Sequence, residues 1–142
     1  MSQTRVTASA TVARPVDHVW AVLADHEGMS SWGPGITVRL EKPGAPERNG
    51  LGAVRRITAP GPAPAIVEEV TAFEPGRRLG YRALAGVPFK NYGGDVVLTP
   101  AGAGTRIDYT VTIDERVPLV EKGAAAAVAR GLLTALVRAS KK

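Results

Sequence analysis

The sequence contains no cysteine, which excludes a disulfide scaffold, thiolate metal ligation and a cysteine nucleophile. Aromatics are scarce as well: two tryptophans, three tyrosines and two phenylalanines in 142 residues. So few rings make a poor stacking platform for nucleic-acid bases. No apolar run reaches membrane-spanning length, and the start, Met1-Ser-Gln-Thr-Arg5, lacks the apolar core of a signal peptide. The expectation is a cytoplasmic protein without stable membrane insertion. Internal repeats and domain linkers are also missing, so residues 1–142 read as a single domain with a core over about residues 4–139.

What is present fits that reading. The chain is 44% hydrophobic and 22% charged, close to the balance of a soluble globular protein. Its 18 basic and 13 acidic residues leave a formal net charge of +5. The basic groups are dispersed, as Arg55-Arg56, Arg77-Arg78, Arg138 and Lys141-Lys142. Dispersion suits a solvated surface better than a nucleic-acid footprint, so no nucleic acid is expected as partner. Sixteen glycines and eleven prolines exceed the usual share of about 12% and imply many turns between short elements.

Residues 4–13 alternate, with Val6, Ala8, Ala10 and Val12 on one face and polar residues on the other; this is a strand with one buried side. Pro15 then opens a helix, with Asp17 in its first turn and an apolar stripe of Val16, Val19, Trp20 and Leu23. A second short helix over 29–32 stops at Gly33-Pro34-Gly35. Six further strands are predicted, over residues 36–42, 52–58, 65–73, 77–84, 90–99 and 105–114, with the prolines at or beyond their ends. The alanine-rich segment 118–140 reads as a helix. Its apolar stripe comprises Ala124, Val128, Leu132, Ala135 and Leu136, with Gly123 and Gly131 close by. At ~1.5 Å per residue it is roughly 33 Å long, enough to cross a sheet. Short turns make the sheet antiparallel, and only this helix is long enough to cover a face of it. Small residues on the helix permit a cavity beneath it without requiring one.

A resemblance rests on this order of elements and on the signatures Pro15-Val-Asp-His-Val-Trp20, Leu23-Ala-Asp25, Trp32-Gly-Pro34, Gly52-Ala-Val-Arg55, Glu68-Glu-Val70, Pro75-Gly-Arg-Arg-Leu-Gly-Tyr81, Asn91-Tyr92 and Gly104-Thr-Arg106. Over essentially the whole chain, it resembles the START-like, Bet v 1-like (SRPBCC) superfamily, in its bacterial polyketide cyclase/dehydrase and lipid-transport branch. The fold so implied is α+β, of the helix-grip type. A curved antiparallel seven-stranded sheet wraps around a long C-terminal helix, and two short helices follow strand 1. The resemblance further implies a deep cavity for a hydrophobic or amphipathic small molecule, with no obligatory cofactor.

Glu68 shares a face with Ile66, Val70 and Ala72; if that face is the core side, a carboxylate points inward, where it needs a partner or a proton. A one-residue slip would exchange it with Glu69. Arg55, on the face of Ala53 and Ile57, is its natural counter-ion, although the residues alone do not separate it from Arg56. The resemblance favours Glu68 and Arg55 inside. Such a pair orients a ligand carbonyl or carboxylate, or serves as a structural bridge at the cavity base. Tyr81, Tyr92 and Tyr109 share faces with apolar neighbours and are expected to supply apolar area plus one donor each, or else ordinary core packing. Val96 lies on the face of Tyr92, and Val128 and Leu132 lie on the helix stripe; all three are expected to line the site. Trp32 is read as plugging one end of the core or touching ligand.

The loops 59–64 and 85–89 are expected at the cavity mouth. They depart from the gate and latch of the plant hormone receptors of this superfamily: Ala-Pro-Gly-Pro and Val87-Pro88 replace Ser-Gly-Leu-Pro and His-Arg. Other motifs do not assemble. His18 and His26 are eight residues apart with no third ligand placed, so both are expected at the surface and no metal site is predicted. Gly102-Ala-Gly104 is a hairpin turn, because no Gly-Lys-Ser/Thr follows it. No Gly-x-Ser-x-Gly elbow exists.

Three functions remain. The first is binding or transport of a hydrophobic or amphipathic metabolite, lipid or polyketide. The second is a metal-free cyclase/dehydrase-type enzyme, with Glu68 moving a proton, Arg55 stabilising an enolate and Tyr81 or Tyr92 orienting substrate. The third is an interaction module whose core is filled. Monomer and homodimer are both compatible with the sequence.

Overall fold

The alternating segment at the start forms β1 (Gln3–Val12), its odd-numbered residues exposed and Thr4 and Val12 buried. The computed structural model describes residues 3–114 and 118–141. After Pro15, which sits just ahead of the first helical residue, α1 (Val16–Ala24) buries Val19 and Leu23 as its stripe requires. A 3-10 helix (Glu27–Ser31) follows and buries Met29. Then come β2 (Thr37–Lys42), β3 (Val54–Thr58), β4 (Ile66–Glu74), β5 (Arg78–Ala85), β6 (Gly93–Ala101), β7 (Gly104–Asp114) and α2 (Pro118–Ser140). Each strand predicted from alternation is present, with ends displaced by at most a few residues, as expected of fraying termini.

All seven strands join one antiparallel sheet in the order β1-β7-β6-β5-β4-β3-β2. Hairpins connect each consecutive pair from β2 to β7, and β1 closes beside β7 through ten paired positions, Gln3–Asp114 to Val12–Thr105. Register shifts at Val67/Glu68 and Val70/Ala72 bend the middle of the sheet. This is the helix-grip architecture: a bent sheet with the long helix laid against its concave side.

The helix rests chiefly on β1 and β7, one end of the strand order. Its most buried line is Ala125, Ala129, Leu133, Leu136 and Ser140, one step around from the stripe expected of Ala124, Val128, Leu132, Ala135 and Leu136. Of that stripe only Leu136 is fully buried; Ala124, Val128, Leu132 and Ala135 are half-exposed. The reason is steric: Ala125 and Ala129 lack side-chain bulk, so this edge of the helix packs closely against β1 and β7. The adjoining edge, with Val128 and Leu132, then faces β3–β5 across a gap. Gly123 and Gly131 are a correction as well: they lie on the exposed side, with nothing within 4 Å of where a Cβ would stand. Leu79, Val96, Ile107, Val111, Ile113 and Leu136 form the solid part of the core, each fully buried. Removing any of them costs about 2–5 kcal/mol for Leu or Ile to Ala, because neighbours relax only partly.

Candidate functional site

Arg55 on β3 and Glu68 on β4 stand directly opposite each other in the ladder. Directly opposed side chains on one face have Cβ atoms about 4.5–5.5 Å apart, close enough for their ends to meet. The guanidinium donates from Nε (2.9 Å) and from an Nη (2.7 Å) to the same oxygen, Oε1 of Glu68. Both residues are buried, 3% and 4% exposed. Arg56 and Glu69 point outward, where Arg56 bonds to Glu41 and Glu69 to Arg82. The outer face therefore has its own ion pairs, and a one-residue slip would break these and bury the wrong charges.

Arg55 makes three more contacts. Its other Nη donates to the Sδ of Met29 and to Nδ1 of His26, both at 3.1 Å. Its Cζ lies 4.9 Å from the centre of the Tyr81 ring, a cation–π arrangement. His26 was expected at the surface; it is fully buried instead. Its Nε2 lies 2.8 Å from the carbonyl oxygen of Asn49. A carbonyl only accepts, so Nε2 carries the proton and Nδ1 accepts from Arg55. That tautomer is neutral. Burial, and then the adjacent Arg55 charge, lower the His26 pKa from 6.5 to about 4. His18 also leaves the surface in part, its Nε2 donating to the Ser140 carbonyl at 2.8 Å and tying α1 to the end of α2.

Tyr81 on β5, Tyr109 on β7 and Tyr92 just ahead of β6 are all buried beside this pair. The Tyr81 and Tyr109 hydroxyls are 2.6 Å apart and share a hydrogen bond. Burial drives all three phenols upward, Tyr92 to about 12. They are neutral donors at any physiological pH. Tyr81 has its position because Gly94, its partner across β5–β6, has no side chain. A Cβ on Gly94 would collide with the Tyr81 ring and hydroxyl. Gly94→Ala should therefore displace the ring and destabilise the fold by about 1–3 kcal/mol, the usual penalty of overpacking. A urea midpoint equal to that of the wild type would contradict this placement.

These groups form the inner end of a cavity of about 360 Å³ between α2 and the sheet. Arg55, Glu68, Tyr81, Tyr92 and Tyr109 line it together with buried Met29 and Trp32. The rest of the wall is apolar and half-exposed: Ile36, Ile57, Ile66, Val87 and Phe89 with Val128, Leu132 and Ala135 of α2. The arrangement is a polar floor under apolar walls, in a volume at the small end of the range for ligand sites. The loop after β5 contributes Gly86 and Pro88 at the rim. Residues 59–64 do not line the cavity, although Pro60 packs against Gly35. Trp32 and Ala135 line both this cavity and a smaller depression that Arg138 borders.

Of the expected site residues, Arg55, Glu68, Tyr81, Tyr92, Tyr109, Trp32, Val128 and Leu132 all border this one cavity. Val96 does not; it is wholly buried within the solid core. Alternation identified its face correctly, but that face is shared between cavity and packed core, and Val96 on β6 falls in the packed part. Sequence reasoning missed Met29, Phe89 and His26. Among the described residues, no cluster of three or more His, Asp or Glu side chains could hold a metal ion, and no helix is long and apolar enough to cross a membrane.

Comparison with known proteins agrees with this geometry. The chain superimposes on a START superfamily protein from Mycobacterium smegmatis with a TM-score of 0.81, at 16% identity over 96% of this chain and 97% of that one. It superimposes on the ZhuI aromatase/cyclase from Streptomyces sp. R1128 with a TM-score of 0.78, at 21% identity over 99% and 94% of the two chains. For TTHA0849 from Thermus thermophilus the values are 0.71, 23%, and 96% of each chain. At these identities the likeness establishes the fold. No curated protein sequence matches the chain. The family model described as polyketide cyclase / dehydrase and lipid transport matches residues 3–141, and the chain accordingly belongs to that family within the START/Bet v 1 (SRPBCC) superfamily.

Proposed function

We propose that this single domain binds a hydrophobic or amphipathic small molecule of the metabolite, lipid or polyketide kind in the cavity beneath α2. One observation supports this above the others: a void of about 360 Å³ whose walls are apolar and whose floor carries an ion pair and three phenols. A protein interior normally closes such space. Apolar walls favour the body of a ligand, and the few convergent polar groups orient its head. A filled core would favour a pure interaction module, and the cavity beneath α2 speaks against that reading. Native mass spectrometry of the protein purified from its own cells is the test. A co-purifying small molecule of constant mass supports binding; a stripped chain that also retains no added apolar probe speaks against it.

The second reading, a cyclase/dehydrase-type enzyme, gains from the Glu68 carboxylate. Both guanidinium bonds fall on Oε1, and among the described residues nothing donates to Oε2. A carboxylate oxygen so placed on the cavity wall is free to take a proton from a substrate carbon or hydroxyl, while Arg55 and the tyrosines stabilise an enolate. Glu68→Gln separates the two readings. A carrier should keep its affinity within about tenfold, whereas an enzyme should lose turnover by about 10²-fold or more.

A further inference from the structure

The charges on the cavity floor cancel. Arg55 is the cation there, and it is already paired through two bonds with Oε1 of Glu68. His26, which accepts from Arg55, adds no charge. Met29 occupies a further guanidinium N–H. Of the five donors on Arg55, at most one is left for a ligand. The acceptor side is more open, since Oε2 of Glu68 receives no hydrogen bond from a described residue and Glu68 lines the cavity. On the donor side, the Tyr81 hydroxyl bonds to those of both Tyr109 and Tyr92, and two hydrogen bonds among three hydroxyls leave one phenol proton to donate. The floor thus offers a carboxylate oxygen seeking a donor beside a phenol seeking an acceptor.

We infer that the cavity selects a neutral, hydroxyl-bearing head group, such as a phenol or enol on a small ring system, and discriminates against carboxylates. This specificity rests on the small-molecule reading above. A hydroxyl both donates to Oε2 and accepts from tyrosine. A carboxylate cannot donate, and it would bring a negative charge against Glu68 in a place with little water to screen it. A hydroxyl blocked as its methyl ether keeps the apolar contacts but leaves Oε2 unpaired, and sites built around such a hydrogen bond reject analogues that lack it. Free fatty acids are therefore poor ligands despite the apolar walls.

Three probes of nearly equal shape test this on the wild-type protein at pH 7.5: 2-naphthol, 2-methoxynaphthalene and 2-naphthoate, titrated by calorimetry or fluorescence. The expected order is naphthol tightest, the ether at least about tenfold weaker, and naphthoate weakest. In Glu68→Gln, the charge on Arg55 is no longer cancelled, and naphthoate should gain at least about tenfold, while naphthol, whose hydroxyl still finds an amide oxygen, should lose less than about tenfold. Equal binding of all three, or tightest binding of naphthoate, overturns the selectivity and leaves the small-molecule reading standing. Failure of every probe to bind overturns both. If Glu68→Gln does not fold, the wild-type series alone still decides.

Discussion

Arg55→Met should destabilise the protein by about 3–5 kcal/mol, and adding Glu68→Leu in the same chain should recover most of that loss. The single substitution leaves the largely buried Glu68 carboxylate without its counter-ion. It also strips the donor from Nδ1 of His26 and from the Tyr81 face. In the double variant both charges are gone and the volume is refilled by apolar atoms, and buried ion pairs so replaced are commonly neutral or better in stability. Urea unfolding of the two variants checks this directly. The comparison also assigns the pair a role. A double variant that is stable yet binds no ligand identifies the pair as recognition machinery; one that is stable and binds normally identifies a structural bridge. A single variant as stable as the wild type would contradict the burial of the pair.

The second large effect is a dependence on pH. His26 titrates near 6.5 in the unfolded chain and near 4 in the folded one. Its contribution is thus fully present above about pH 6.5. As the pH falls from there, the unfolded state takes up a proton that the folded state refuses, so stability declines until about pH 4. Two and a half pKa units correspond to about 3 kcal/mol. Carboxylates also titrate in the lower part of that range, so the His26 share is read by comparison with His26→Gln. Glutamine supplies an N–H for the Asn49 carbonyl and an oxygen for Arg55 without gaining charge. Urea unfolding between pH 7.5 and 4.5 should show a steeper decline for wild type than for His26→Gln. Parallel curves would mean that His26 meets water in the folded state.

Strand alternation, a two-fold signal that survives short segments, grouped Glu68 and the tyrosines with apolar neighbours, but it left open whether Glu68 or Glu69 faced inward, and only the family resemblance favoured Glu68. Arg55 was legible only as one of two arginines, and the cross-strand partners of Arg56 and Glu69 decided between them. The helix phase was not legible. Residues 124–127 are four consecutive alanines, so no contrast in hydrophobicity marks which one faces the sheet, and close packing on β1 and β7 selected Ala125 and Ala129. His26 was beyond reach for another reason. Its burial depends on Asn49 in the β2–β3 loop and on Arg55 in β3, elements 23 and 29 residues away in sequence. Asn49 also donates to the Ala24 carbonyl, holding that loop against the end of α1. Nothing local announces such a contact. Val96 fails at a finer level: periodicity separates the inside from the outside of a sheet, but not a filled inside from a hollow one.

The hollow itself carries the functional account, and blocking it is the most direct measurement. Leu132 lies on the α2 wall of the cavity, half-exposed, so Leu132→Trp should fill space with little strain on the packed core. Titration of the wild type with 2-naphthol should give saturable binding to one site, and Leu132→Trp, folded as judged by its unfolding midpoint, should bind at least about tenfold more weakly. Equal affinity in the two proteins would place the probe elsewhere and contradict the account.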